Sequence, residues 1–69
     1  MISVGLLGCG RIGQVHALSL AKMENARLTA VADAMPDAAK ALANTYGAEH
    51  RDADAIIAAS DIDAVIIAT

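Results

Sequence analysis

Apolar runs too short for helices alternate along this chain with longer stretches of helical period. Ile2 to Leu7 is apolar apart from Ser3 and Gly5, which predicts a buried strand. From Arg11 to Met23 the positions Gly13, Ala17, Leu20 and Ala21 recur at i, i+4, i+7 and i+8, one face of a helix whose small residues permit close packing. Glu24-Asn25-Ala26 forms a loop, and Arg27 to Ala32 predicts a second strand. Pro36 suits the first position of a helix. Ala39, Leu42, Ala43 and Tyr46 mark the buried stripe of that helix, and Gly47 its stop.

A third unit follows. Ala48 to Arg51 predicts a short polar edge strand, and Asp52 an N-cap for a helix from Ala53 to Ala59 with Ile56 and Ile57 turned inward. After a turn at Ser60-Asp61-Ile62, the run Asp63 to Thr69 is the most strand-like in the chain. It is apolar on both faces, as a central parallel strand should be. Right-handed crossovers then predict an α/β fold, a Rossmann-type parallel sheet of strand order 3-2-1-4. Helices one and two should cover one face and helix three the other. The crevice should open between the ends of strands one and four, with Thr69 facing the turn at Gly8.

That turn carries the chemistry. Gly8, Gly10 and Gly13 give G-x-G-x-x-G between a predicted strand and a predicted helix, and Asp33 stands twenty residues beyond Gly13 at the end of the second strand. Glycine triplets recur by chance; in this context they form a dinucleotide-binding pattern. Gly8 leaves the strand through a turn that strains other residues, Gly10 leaves room for a pyrophosphate, and Gly13 lets the helix sit close to the sheet. The first-turn amides around Arg11 and Ile12 lack helical acceptors and point at the phosphates. Asp33 can accept hydrogen bonds from the adenosine ribose hydroxyls, and its charge would repel a 2′-phosphate. The nearest following cation is Lys40, inside the second helix, so NAD is expected over NADP. A ligand-free tight turn is the plainer alternative, and three spaced glycines without a guest would weaken it.

Composition narrows the context. Sixty-nine residues make at most one small domain, and a chain of this size buries only about 60% of its unfolded surface. Hydrophobic residues make up 57% of the chain, with Tyr46 the single aromatic, which suits covered parallel strands better than a free-standing miniprotein. The net charge of −3 disfavours a nucleic-acid partner. No apolar run approaches the roughly 20 residues of a membrane span, no leader pattern precedes the first strand, and the lone Cys9 suits a reducing compartment; a cytoplasmic protein is expected. An open edge on strand four and a half-covered second face suggest an incomplete coenzyme-binding domain of low stability, part of a longer protein whose substrate domain lies elsewhere. A homo-oligomer is expected for the complete protein.

Several residues have plainer readings than their chemistry suggests. Cys9 lies by a helix N-terminus, which can depress a thiol pKa, but a small residue filling the turn is the preferred reading. His16 reads as a packed histidine, His50 and Arg51 as a solvated edge, and Asp61 and Asp63 as turn residues. No metal-ligand spacing occurs.

The runs Gly5–Ala17, Leu28–Asp33 and Ile62–Thr69 together resemble the glucose–fructose oxidoreductase/inositol dehydrogenase/MocA family over essentially the whole chain. The resemblance implies a pyrophosphate loop at Gly8, Gly10, Arg11, Ile12 and Gly13, a ribose-binding acid at Asp33, and backbone along the coenzyme at Ala68 and Thr69. It further implies hydride transfer from a polyol CH–OH group to NAD. The family's catalytic lysine, in Glu-Lys-Pro, and its later aspartate and histidine have no counterpart here, so no catalytic residue is expected within the chain. A flavin-binding fold (Ala17 also permits G-x-G-x-x-G-x-x-x-A), a methyltransferase and a non-catalytic NAD-sensing module are the alternatives.

Overall fold

The structure, a computed structural model, describes residues 1–68; the expectation for Thr69 lies outside the described residues. Four strands and three helices alternate: β1 (Ile2–Leu7), α1 (Arg11–Ala21), β2 (Ala26–Ala32), α2 (Pro36–Tyr46), β3 (Glu49–His50), α3 (Ala53–Ala58) and β4 (Ala64–Ile67). The strands form one sheet of order β3-β2-β1-β4, and every pairing is parallel. This is the expected topology.

Two apolar clusters hold the layers together. Val4, Leu6, Leu28 and Val31 pack with Ala17 and Leu20 of α1 and Ala39, Leu42 and Ala43 of α2. On the opposite face Ala30 and Ala32 pack with Ile56 of α3, joined by Leu7 and Ile62. A bulge explains why Leu28 and Val31 share a face. Val4 pairs with Leu28 but Gly5 with Ala30, so Thr29 is an extra residue that shifts the alternation of β2 by one position.

Several boundaries and orientations differ from expectation. α1 ends at Ala21 rather than Met23, because its last turn tightens: the amides of Lys22 and Met23 bond to the carbonyls of Ser19 and Leu20, at 3.2 and 3.1 Å. Ala21 itself is exposed. Ile57 is 64% exposed, since a helix of six residues offers one side chain per turn to the sheet and Ile56 takes that place. Asp52 occupies the N-cap position of α3 without a side-chain capping bond; only its carbonyl participates, accepting from the Ile56 amide at 3.1 Å. β4 forms an edge of the sheet, and its run is covered only in part, with Ile66 half-buried and Val65 and Ile67 exposed.

Asp63 is more than a turn residue. Its carboxylate accepts from the Ser3 amide at 2.9 Å, while its own amide donates to the Ser3 carbonyl at 2.8 Å. The reciprocal pair pins the start of β4 to β1 and so sets where β4 ends, beside the glycine turn. Asp63→Ala removes one acceptor and is expected to destabilise the protein by about 1 kcal/mol. Urea unfolding would register that as a lower midpoint with an unchanged slope.

Candidate coenzyme-binding site

At the carboxyl end of β1 the chain must reverse into α1 within three residues. Gly8 adopts φ +106°, a conformation that L side chains rarely tolerate. The reversal brings the start of α1 onto the turn itself: a Cβ built on Gly13 would stand 1.9 Å from the Gly8 carbonyl oxygen. Gly10, the N-cap of α1, has no atom within 4 Å of its own virtual Cβ, so the space beside it is open. The first bond of the helix is Gln14 N–H to the Gly10 carbonyl at 2.9 Å. The amides of Arg11, Ile12 and Gly13 therefore have no acceptor inside α1, and the helix dipole adds its positive end at the same place.

The end of β2 supplies the second half of the site. Asp33 Oδ2 accepts the Cys9 amide at 2.6 Å and Oδ1 accepts the Met35 amide at 2.8 Å. These two bonds, that from Cys9 the stronger, hold the Asp33 carboxyl below the usual carboxylate range. Each oxygen retains a lone pair for a further donor. The Cys9 thiol is buried and donates to the Ala32 carbonyl at 3.5 Å. Burial, and secondarily the Asp33 charge, pushes its pKa up, so the preferred reading of Cys9 as a turn-filling residue fits and an activated thiolate does not.

A cleft of about 850 Å³ joins these parts. Gly8, Gly10, Arg11 and Ile12 line one end, Asp33 and Ala34 the side, and Ala68 the β4 wall. Gly13 lies behind the turn, packed on Gly8, rather than on the cleft surface. The expected solvated edge holds for His50, exposed on the edge strand β3, while Arg51 is half-buried. His50 and Arg51 line the same cleft, and Arg51 is clamped by Asp61, through Nη1–Oδ1 at 2.9 Å and Nη2–Oδ2 at 2.8 Å, with Glu49 on the same Nη2. The bond to Asp61, then that to Glu49, raises the Arg51 pKa further, and Arg51 in turn holds Asp61 low. Arg51 thus lines the cleft, as Lys40 does not, though its charge is met by two carboxylates. Sequence order hid this, because the crossover from β3 to β4 brings Asp61 back to Arg51.

Among the described residues no cluster of histidine, cysteine and carboxylate side chains could hold a metal ion, and no helix is long and apolar enough to cross a membrane. A strand, a glycine turn, a helix N-terminus and a carboxylate at the end of the next strand, all on one cleft at the carboxyl edge of a 3-2-1-4 sheet, define a nucleotide-binding lobe of Rossmann type.

Residues 2–69 match the model of the GFO/IDH/MocA oxidoreductase family, described by its NAD-binding Rossmann fold. The chain belongs to that family. Inositol 2-dehydrogenase of Rhizobium meliloti (strain 1021) is 59% identical over 68 residues, which cover 99% of this chain and 21% of that protein. The crystal structure of a myo-inositol dehydrogenase from Corynebacterium glutamicum ATCC 13032 superposes with a TM-score of 0.92 at 36% identity, over 100% of this chain and 21% of that one. That of myo-inositol dehydrogenase from Lactobacillus casei, in complex with NAD(H) and myo-inositol, superposes with a TM-score of 0.93 at 29% identity, over 100% and 22%. The chain thus spans about a fifth of the length of the relatives it matches.

Proposed function

We propose that this chain is the coenzyme-binding lobe of an NAD-dependent dehydrogenase that oxidises a CH–OH group of an inositol-like polyol, the substrate being held by a further domain. The observation that carries the reading is the meeting, on one cleft, of unpaired α1 amides and the Asp33 carboxylate. The cleft's residues fit the coenzyme. The amides of Arg11 and Ile12 would hold the diphosphate, the open space beside Gly10 would admit it, and Asp33 would accept from the adenosine ribose. Ala68, which lines the same cleft, would lie along the coenzyme. The 59% identity to an inositol 2-dehydrogenase supports the polyol, and the neighbour that carries NAD(H) and myo-inositol together supports the pairing of coenzyme and substrate.

When bound, the nicotinamide supplies the hydride acceptor. This chain's residues would orient it: the helix amides would hold the diphosphate, and Asp33 would hold the adenosine end. The groups that would take the hydroxyl proton lie outside residues 1–69. A single free cysteine, buried at Cys9, supports a reducing compartment such as the cytoplasm.

Titration of the protein containing this chain with NAD, NADP and FAD tests the reading, followed by NADH formation on addition of myo-inositol. The expected result is NAD binding tighter than NADP, no FAD binding, and inositol-dependent NADH. NAD binding with no turnover of any polyol would instead favour a sensing module. No NAD binding would overturn the proposal.

A further inference from the structure

Asp33 is engaged by the chain's own amides. Cys9, whose amide it accepts at 2.6 Å, is the middle residue of the Gly8-Cys9-Gly10 turn. Two further donors from that turn reach the end of β2: the Gly8 amide bonds to the Ala32 carbonyl at 2.8 Å, and the Cys9 thiol to the same oxygen at 3.5 Å. Gly8 stands at φ +106° between an apolar strand and a second glycine two residues on. Glycine backbones visit many conformations at similar energy, so this turn must be held by contacts from outside itself. Of the three ties, the one to Asp33 is the bond to a charged acceptor, a kind roughly twice as strong as a neutral one.

We propose that Asp33 is a positioning residue for the diphosphate-binding turn, fixing the Cys9 amide and through it the placement of the α1 amides, in addition to accepting from ribose. The inference rests on the coenzyme reading and deepens it. The roles are compatible, because the Cys9 and Met35 amides use one lone pair on each oxygen and leave the other free. They also differ in a measurable way. A ribose acceptor acts only on ligands that carry hydroxyls, whereas a turn fastener acts on any ligand that carries a diphosphate.

The discriminating probe is 2′,3′-dideoxy-ADP, which has the diphosphate and lacks the hydroxyls. Its affinity, and that of ADP, would be measured on the protein containing this chain and on its Asp33→Ala and Asp33→Asn variants. If Asp33 served only ribose, Asp33→Ala would leave dideoxy-ADP unchanged or tighten it, since a negative charge near the phosphates is removed. A fastener predicts the opposite sign: dideoxy-ADP weakens by about tenfold to a hundredfold, the range one bond to a charged acceptor is worth, and ADP weakens further. Amide hydrogen exchange at Cys9 without ligand supplies an independent readout. It should be faster in Asp33→Ala and partly restored in Asp33→Asn, which keeps an oxygen acceptor. Unchanged dideoxy-ADP affinity together with unchanged Cys9 exchange would overturn the inference. If the unaltered protein binds neither ADP nor NAD, the coenzyme reading fails, and Cys9 exchange still decides whether Asp33 holds the turn.

Discussion

Replacing Gly13 by alanine is expected to lower both the stability of the protein and its affinity for NAD, the latter by about a hundredfold, because a Cβ there meets backbone and not a movable side chain. The nearest atoms are the Gly8 carbonyl oxygen at 1.9 Å and carbon at 2.8 Å. Two effects oppose each other. Alanine is the better helix former by about 0.8–1 kcal/mol, whereas forcing volume into a packed contact costs about 1–3 kcal/mol and more where nothing can rotate away. Here the overlap exceeds 1 Å, so the clash wins. α1 must back away from the turn and carry its free amides with it, and a displacement of about 1 Å in a binding constellation is enough for a hundredfold loss. Gly10→Ala is the control. It has φ −74°, suitable for any residue, and no atom within 4 Å of the added methyl. Its stability should stay near that of the unaltered protein while NAD affinity falls, since the methyl occupies the space a diphosphate needs. Coenzyme titrations and urea midpoints of the two variants check this. Equal NAD affinity in the unaltered and Gly13→Ala proteins would show that the turn is not where the diphosphate rests.

The order of elements and the sheet topology were legible because local signals agreed with one another. Pro36 starts α2 and Gly47, at φ +69°, stops it; the apolar positions Ala39, Leu42 and Ala43 between them are buried as their spacing implies. What the chain hid depends on tertiary contact. The bulge at Thr29 leaves no mark in composition, yet it decides which of Val31 and Ala32 faces α1 and α2. Gly5 reads as an interruption of an apolar strand. Its reason lies fifty residues away, where Ile56 Cγ2 would stand 2.3 Å from a Cβ on Gly5, so α3 sits close only over a bare backbone. Ile57 misleads for a related reason, since two adjacent isoleucines cannot both face a sheet from a helix of under two turns.

The candidate site was legible in its parts and not in its connections. Spacing nominated Gly8, Gly10, Gly13 and Asp33, and the structure gathers them at one end of the sheet. Nothing in the spacing showed that Asp33 bonds to the Cys9 amide, because a residue 24 positions away is invisible to periodicity. Arg51 was missed for the converse reason. It belongs to a polar edge by sequence, and only the return of the chain through α3 gives it Asp61 as a partner and the cleft as a neighbour.

Those connections shape the second large expected effect, a shift in coenzyme preference in the double variant Asp33→Ser, Ala34→Arg. A 2′-phosphate beside Asp33 would meet a repulsion of about 4 kcal/mol per unit charge at 4 Å with an effective dielectric near 20, a thousandfold preference at about 1.36 kcal/mol per decade. Asp33 is only half-buried, so solvent and salt reduce that figure, and the expected swing in the NADP to NAD affinity ratio is about a hundredfold. Arg51 does not supply the missing cation in the unaltered protein, although it lines the same cleft, because Asp61 and Glu49 already take its guanidinium. An arginine must therefore be introduced at position 34, which lines the cleft next to Asp33. The turn-holding role of Asp33 adds a consequence that a simple charge swap does not predict. Serine cannot hold the Cys9 amide with a charged oxygen, so the affinity for both coenzymes should fall in absolute terms even as their ratio moves toward NADP. Titration with NADH and NADPH separates the two effects. An unaltered ratio would remove Asp33 from coenzyme selection, and a changed ratio with NADPH bound as tightly as the unaltered protein binds NADH would show that the turn holds its shape without it.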